Sequence, residues 1–329
     1  MILVVSSQND GHTSAVRGEL SRIGADSRLL DLRAFPIQLD LALHYDNDRE
    51  APRRVRCRDG CDIDLRDVRA VWWRRPQPFE LGGELVRPSY RAFAYNECHE
   101  AWSGFWQTLD VLWVNHPNKD EAAARKAYQL DVARSVGLAI PTTLITNDPE
   151  EARAFVAVHR SHGVIYKAFS ATEQEWRETR LLQDVEERLL DQVRHAPVIF
   201  QEYVPAGVDL RVTIVGESIF AAAIHSQETS YPVDFRIDMN AARVEAAELP
   251  DAACDGLRRL MRRLDLQYGA VDMRRTPDGR ITFLEINPAG QWLFVEERTR
   301  QPITSAMAQL LARSHLGNAG RHGTHRATS

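Results

Sequence analysis

Short apolar runs of strand length alternate with helical stretches from Ile2 to Val114, and that alternation commits the first third of the chain to an α/β layer fold. Ile2–Ser6 reads as a buried strand. The polar turn Gln8–Gly11 leads into a helix through Val16, Leu20 and Ile23, which Gly24 ends before a strand at Ser27–Leu32. Arg54–Cys57 and Cys61–Leu65 flank an Arg-Asp-Gly turn, the pattern of a hairpin, and Ala70–Trp73 is a further strand. A helix over Tyr90–Leu109 is expected to bury Phe93, Trp102, Phe105 and Trp106 on one face, ahead of a strand at Val111–Val114. His116-Pro-Asn-Lys-Asp120 breaks the periodicity, so 1–115 reads as an N-terminal α/β domain.

The remaining residues continue the mixed pattern. A helix over Glu121–Val136, closed by Gly137, precedes a strand at Ile140–Thr146. Asn147 and Asp148 suit the cap of a helix at Glu150–His159, with Pro149 in its first turn. Val164–Phe169 and Val198–Val204 read as strands around a helix at Asp184–Val193. Strands then dominate, at Asp209–Val215, Ser218–Ser226, Tyr268–Arg274 and Ile281–Ile286, with helices at Ala252–Leu264 and after Pro302. We expect a central part at 116–199, a C-terminal part at 200–316 and a disordered tail at 317–329; a chain of 329 residues is long enough for more than one domain.

Charge excludes several functions. With 41 basic against 46 acidic residues, the net charge of −5 offers no general field for nucleic acid or an anionic membrane. No apolar run approaches the ~20 residues that span a bilayer, and the amino terminus lacks the basic region of a secretory signal. Four cysteines do not make a disulfide framework in this length, so a reduced, cytoplasmic protein is expected. Cys57 and Cys61, with Cys98-His99, invite a zinc site, yet the intervening turn explains the first pair and no second tight pair exists. Only three basic residues are lysine: Lys119, Lys126 and Lys167. A lysine retained in so arginine-rich a chain suits a phosphate contact, although composition alone favours chance survival on the surface.

The strongest local signal is Asp272 followed by Glu285-Ile-Asn287. Strand side chains alternate, so Glu285 and Asn287 share a face. A two-residue loop at Asp278-Gly279 sets Glu285 opposite Asp272; a three-residue loop puts Asp272 on the other face unless a bulge compensates. Two carboxylates that close repel, so something cationic is expected between them, and all-oxygen ligation suits Mg²⁺. A solvated hairpin face fits the same pattern. Lys167 lies inside the apolar strand Gly163-Val-Ile-Tyr-Lys-Ala-Phe169, where an ammonium is expensive unless it meets an anion or a wet cleft. Gln201-Glu-Tyr-Val204 ends an apolar strand before Pro205 and offers backbone edge groups to a purine. Asp209 and Arg211 share a face on the next strand, as an ordinary exposed ion pair also would.

In this order the residues resemble an ATP-grasp ligase across about 115–315. Val71-Trp-Trp-Arg-Arg-Pro76, His116-Pro-Asn-Lys119, Ile140-Pro-Thr-Thr-Leu-Ile-Thr146 and Asn287-Pro-Ala-Gly-Gln-Trp292 are similar to the ligases that macrocyclise ribosomal peptides, the microviridin-type or graspetide synthetases. Ribosomal-protein glutamate ligases read Asn-Pro-Ser-Pro-Gly after the metal strand, and this chain does not. Ser170–Trp176 lacks the glycines of the usual phosphate-covering loop, as is common in the graspetide branch.

The resemblance implies an ATP-grasp fold behind an N-terminal pre-ATP-grasp domain, with 116–199 as lid and 200–316 as catalytic subdomain. It implies ATP and Mg²⁺ as cofactors and phosphorylation of Asp or Glu side chains on a precursor peptide, followed by ring closure with Ser, Thr or Lys. Lys126 and Lys167 would bind phosphates, Gln201, Glu202, Tyr203 and Val204 adenine, and Asp209 the ribose. Asp272, Glu285 and Asn287 would hold the metal, and Arg211 would act on the transferring group. The leader peptide would dock on Glu173–Val193, including Glu186 and Glu187, a charged segment that a solvated helix face explains at least as well. Arg74 and Arg75 would meet an acidic core peptide or brace the domain junction, and His225 would line the substrate cleft. A homodimer is a further family expectation. A ligase of other specificity and a non-catalytic ATP-binding module share the same residues; the Asn-Pro-Ala-Gly-Gln-Trp segment disfavours the first, and the intact Asp272, Glu285, Asn287 and Arg211 set disfavours the second.

Overall fold

The computed structural model describes residues 1–47, 52–58, 60, 62–169, 179–228 and 242–319, the last with side chains only to 313. The chain forms two compact units, Met1–Asn118 with Pro302–Ser329, and Lys119–Gln301.

The first unit begins with β1 (Ile2–Val5), wholly apolar and wholly buried. Asp10 caps α1 (Gly11–Arg22) by accepting from the Thr13 amide at 2.9 Å, and Gly24 ends the helix at φ 74. β2 (Ser27–Leu30) follows, then β3 (Leu39–Leu43), β4 (Arg53–Cys57) and β5 (Asp62–Asp64), which pair as a three-stranded antiparallel sheet. β6 (Ala70–Trp73), α2 (Pro88–Trp106) and β7 (Leu112–Val114) complete a parallel sheet of order β2-β1-β6-β7. The expected hairpin is present as β4 and β5, although Asp59 and Cys61 lie outside the described residues. Trp102, Phe105 and Trp106 of α2 are buried as expected, with Trp106 against Trp73 and Trp113. Phe93 is not: it is 66% exposed. A 19-residue helix is about 28 Å long and a four-residue strand about 13 Å, so the first half of α2 outruns the sheet.

The second unit opens with α3 (Pro117–Ala124) and α4 (Lys126–Ser135), two helices broken at Arg125 where one was expected. β8 (Thr143–Thr146), α5 (Pro149–His159), β9 (Val164–Lys167), β10 (Arg180–Leu181) and β11 (Val198–Glu202) supply a sheet of order β10-β9-β11-β8. Asp148 caps α5, and Asp184–His195 forms 3-10 turns rather than an α-helix. β12 (Val208–Val215), β13 (Ser218–Ile224), β14 (Val244–Ala247), α6 (Asp251–Leu264), β15 (Tyr268–Arg275) and β16 (Ile281–Asn287) follow, the strands in order β14-β13-β12-β15-β16. Leu257, Leu260, Met261 and Leu264 of α6 share a core with Leu210, Val212, Val271 and Phe283 of this sheet.

After α7 (Leu293–Thr299), α8 (Ile303–Ala319) returns to the first unit and packs on α1. The division into units therefore differs from the four parts expected: the helix after Pro302 joins the N-terminal unit rather than 200–316, and 317–319 are helical rather than tail. Residues 320–329 lie outside the described residues. Among the described residues no helix is long and apolar enough to cross a membrane.

Candidate active site

β12 and β15 both carry the word Asp-x-Arg, as Asp209-Leu-Arg211 and Asp272-Met-Arg274. Their antiparallel register sets Asp209 opposite Arg274 and Arg211 opposite Asp272. All four side chains are buried. Arg211 Nη1 donates to Asp272 Oδ1 at 2.8 Å, and Arg274 Nε to Asp209 Oδ1 at 2.7 Å. Charges taken this far from water persist only when paired, and the repeated word pairs them reciprocally. Burial opposes the charge of Arg211, but the facing Asp272, together with Tyr268 and Glu285 nearby, holds the guanidinium pKa above its ordinary value.

The β15–β16 hairpin decides whether Glu285 joins them. Its loop has three residues, Pro277-Asp278-Gly279, not two: the Thr276 amide donates to Arg280 O at 2.9 Å, and Gly279 sits at φ 88. Next to the turn Met273 faces Phe283; then the register slips by one, and Asp272 faces Glu285. The bulge thus cancels the shift that the longer loop introduces. Asn287, two residues beyond Glu285 on the same strand face, is exposed, and its Oδ1 accepts from the Ala289 amide at 2.9 Å.

Lys126 opens α4 and reaches the same place, its Nζ 2.6 Å from Glu285 Oε2. Gln129, one turn on and 1% exposed, fixes that approach. Its Nε2 donates to Ala123 O and Ile286 O at 2.6 and 2.8 Å, and its Oε1 accepts from the Ile286 amide at 3.2 Å. A side-chain amide therefore stitches α4 to β16 through backbone groups beside Glu285. The loop after β16 wraps Arg211 from the other side. Arg211 Nη2 donates to Gln291 O at 3.0 Å, and Tyr268 OH to Gly290 O at 2.9 Å. A Cβ on Gly290 would lie 2.3 Å from Ala270 Cβ and 2.8 Å from Arg211 Nη2, so only glycine fits.

On the four-stranded sheet, Lys167 Nζ lies 3.4 Å from Gln201 Oε1, and Gln201 Nε2 donates to Thr143 Oγ1 at 2.8 Å. The amides of Glu202 and Tyr203 donate to Thr142 O and Gly163 O, each at 2.9 Å. Val204 O accepts from Arg274 Nη1 at 3.0 Å, and the same guanidinium stands over the Tyr203 ring, 5.8 Å from its centroid. Arg274 thus ties the connection between the two sheets to Asp209.

Several expected site residues are engaged elsewhere. Asp209 is 2% exposed with one oxygen on Arg274 and the other accepting from Ser226 Oγ, which leaves it unsuited to a ribose and corrects that assignment. Arg74, expected to meet an acidic peptide, is 1% exposed with Nε 3.5 Å from Asp10, and braces the start of α1. Arg75 stands next to it at φ 49. Glu186 accepts from Tyr166 OH and from the Gln183 amide, and Glu187 from Arg160. His225 lies in a surface network with Arg243 and Glu245. Residues 173–178 of the expected docking segment, and 170–176 of the expected phosphate-covering loop, lie outside the described residues.

Among the described residues no three His, Cys, Asp or Glu side chains gather as a metal site. A cation on this face would draw on two carboxylates and the amide oxygen of Asn287, hard donors that suit Mg²⁺ with phosphates completing its shell, so the residues present fit that ion.

Residues 1–121 match the family model described as the MvdD pre-ATP grasp domain. A search of curated proteins returned no match to the sequence. The macrocyclase MdnC of Microcystis aeruginosa, solved with the precursor peptide MdnA, shares 30% identity over 95% of this chain and 99% of its own, with a TM-score of 0.85. The chain belongs to the ATP-grasp macrocyclases of ribosomal peptides. A peptide-associated ATP-grasp ligase of Chryseobacterium gregarium, solved with ADP and a leader and core peptide, is 25% identical to this macrocyclase over 95% of the chain and 96% of its own, at a TM-score of 0.87. MdnB of Microcystis aeruginosa is 28% identical over 94% and 98%, at 0.79. In this macrocyclase the sequence reading missed Arg274, Gln129 and Gly290. Arg274 repeats, two residues after Asp272, the spacing already noted at Asp209 and Arg211, so it had a signal; Gln129 and Gly290 act through backbone groups and close packing, which leave none.

Proposed function

We propose that the chain is an ATP-dependent carboxylate ligase that closes side-chain rings in a ribosomal precursor peptide. The γ-phosphoryl group of ATP passes to an Asp or Glu side chain of the peptide, giving an acyl phosphate and ADP. A Ser or Thr hydroxyl, or a Lys amine, of the same peptide then attacks the acyl carbon and expels phosphate, leaving an ω-ester or ω-amide. The convergence of Lys126, Glu285, Asp272 and Arg211 on one sheet face carries this reading. The peptides bound to MdnC and to the C. gregarium ligase support a peptide partner.

Lys126 and Lys167 contribute compact, flexible ammonium groups to the phosphates. The backbone of Gln201–Val204, held by Arg274, receives the adenine edge. Arg211, its fork steadied by Asp272 and Gln291 O, orients the phosphoryl oxygens through directed charge-assisted bonds. Asp272, Glu285 and Asn287 would hold Mg²⁺, which when bound neutralises phosphate charge. The same reading places the reaction in the cytoplasm and keeps the homodimer as a proposal. Glu285→Ala is expected to melt cooperatively yet to lower ATP-dependent loss of water from the cognate peptide about 100-fold or more, followed by mass spectrometry. Water loss at the wild-type rate would overturn the role of Glu285.

A further inference from the structure

The first unit carries a cavity that the proposed reaction does not use. Its volume is about 550 Å³, and it is bounded by the first turns of α1, the end of β2 and the end of β4. That volume lies within the range of small-ligand sites. Arg17, Arg28 and Arg58 line it, and Asp31 is the one carboxylate among its lining residues. Among the described residues Asp31 forms no ion pair with them, its oxygens accepting from the backbone amides of Arg33 and Gln8 at 3.0 and 3.4 Å, so its one negative charge stands against three positive ones. Elsewhere in this unit arginines find acids, as in Arg22–Glu19, Arg33–Glu80 and Arg66–Asp64. In the cavity Arg28 Nε is 3.9 Å from Asp26, whereas Arg17 and Arg58 enter no ion pair among the described residues. Arg17 Nε is moreover buried with no hydrogen-bond partner among the described residues.

Guanidinium groups gathered without an anion repel, and a buried N–H without an acceptor is destabilising. One ligand relieves both. Ser14, on the first turn of α1, adds a hydroxyl to the same space, whereas the helix end itself is already capped by Asp10. We propose that this cavity binds a small polyanion bearing at least two phosphate or carboxylate groups, with Arg17 and Arg58 as its charged contacts. Planar forks of this kind bind either group bidentately.

Titration calorimetry of the full chain in EDTA, with inorganic pyrophosphate and separately with citrate, tests the site. Wild type and the Lys126→Gln/Lys167→Gln variant are expected to bind at least one probe with equal affinity, and Arg17→Gln/Arg58→Gln about tenfold more weakly. Binding of pyrophosphate alone assigns a phosphate ligand, and of citrate alone a polycarboxylate. Should the double arginine variant not fold, Arg58→Gln, an exposed substitution, is expected to weaken binding about fivefold. Failure of both probes to bind wild type overturns the proposal, as does wild-type affinity in the arginine variants. Loss of all binding in the lysine variant does the same, since the signal then belongs to the second unit.

Discussion

Arg211 depends on a glycine as much as on Asp272. Gly290 leaves a gap in which a Cβ would meet both Ala270 and the guanidinium, which reaches the carbonyl of Gln291. Gly290→Ala forces a methyl group into that gap, so the strand and the guanidinium must both move. We expect a loss of about 1–3 kcal/mol in stability, as for other overpacked sites. Turnover is expected to fall about 100-fold, because an orienting group displaced by an ångström loses its geometry. Thermal melts and peptide turnover of the one variant check both, and undiminished turnover would show that Arg211 does not need this placement. At this scale the sequence singled out charges inside apolar strands at Lys167, Arg211 and Asp272, yet passed over Arg274 on β15, whose carboxylate partner lies on another strand. It was illegible where a residue's partner is a backbone atom far along the chain, as for Gln129 and the Ile286 amide and carbonyl. Asp209 was read with the right neighbour in sequence and the wrong one in space, since its counter-ion is Arg274 on β15.

Elements were legible where period and length agreed. Glu285 met Asp272 only because a three-residue loop and a bulge compensate, and neither has a signature that pattern alone separates from the two-residue turn. β3 and β14 went unread, and α7 has only seven residues, too little for a helical period to declare itself. A small element offers a pH test. Asp64 closes β5, accepts from the Arg66 amide at 3.0 Å and is clasped by the Arg66 guanidinium at 3.0 and 2.6 Å. The guanidinium's hydrogen bonds, reinforced by the amide, hold the Asp64 carboxyl pKa at about 2, below its ordinary 3.8. A carboxyl depressed on folding contributes its stability in full above the ordinary value and loses it as pH falls through the folded one. Asp64→Asn keeps the cap acceptor and removes the titration, so its urea midpoint should fall less steeply than wild type between about pH 4 and pH 2. Identical slopes for the two proteins would dismiss the pairing as a contributor.

The whole molecule is organised by a return. Ile303, Met307, Ala308 and Leu311 of α8 are fully buried, and the helix packs on α1, β6 and β7. Burial of each large apolar side chain is worth about 2 kcal/mol, and domains are marginally stable, so a chain ended at Gln301 should lose the cooperative melt of its first unit. Tryptophan fluorescence reads this directly, since Trp73, Trp102, Trp106 and Trp113 all lie in that unit; an unchanged melt would mean that the last helix is dispensable. The α/β character was legible at this scale, but the return was not, because α8 reads like any amphipathic helix and nothing local names its partner. Its consequence reaches back to synthesis. Domains usually mature in the order they leave the ribosome, yet here a wall of the first unit is encoded after the whole of the second. A nascent chain must therefore carry that unit open-sided until residues 303–319 have emerged, and any chaperone that shields the growing polypeptide would find its binding surface there.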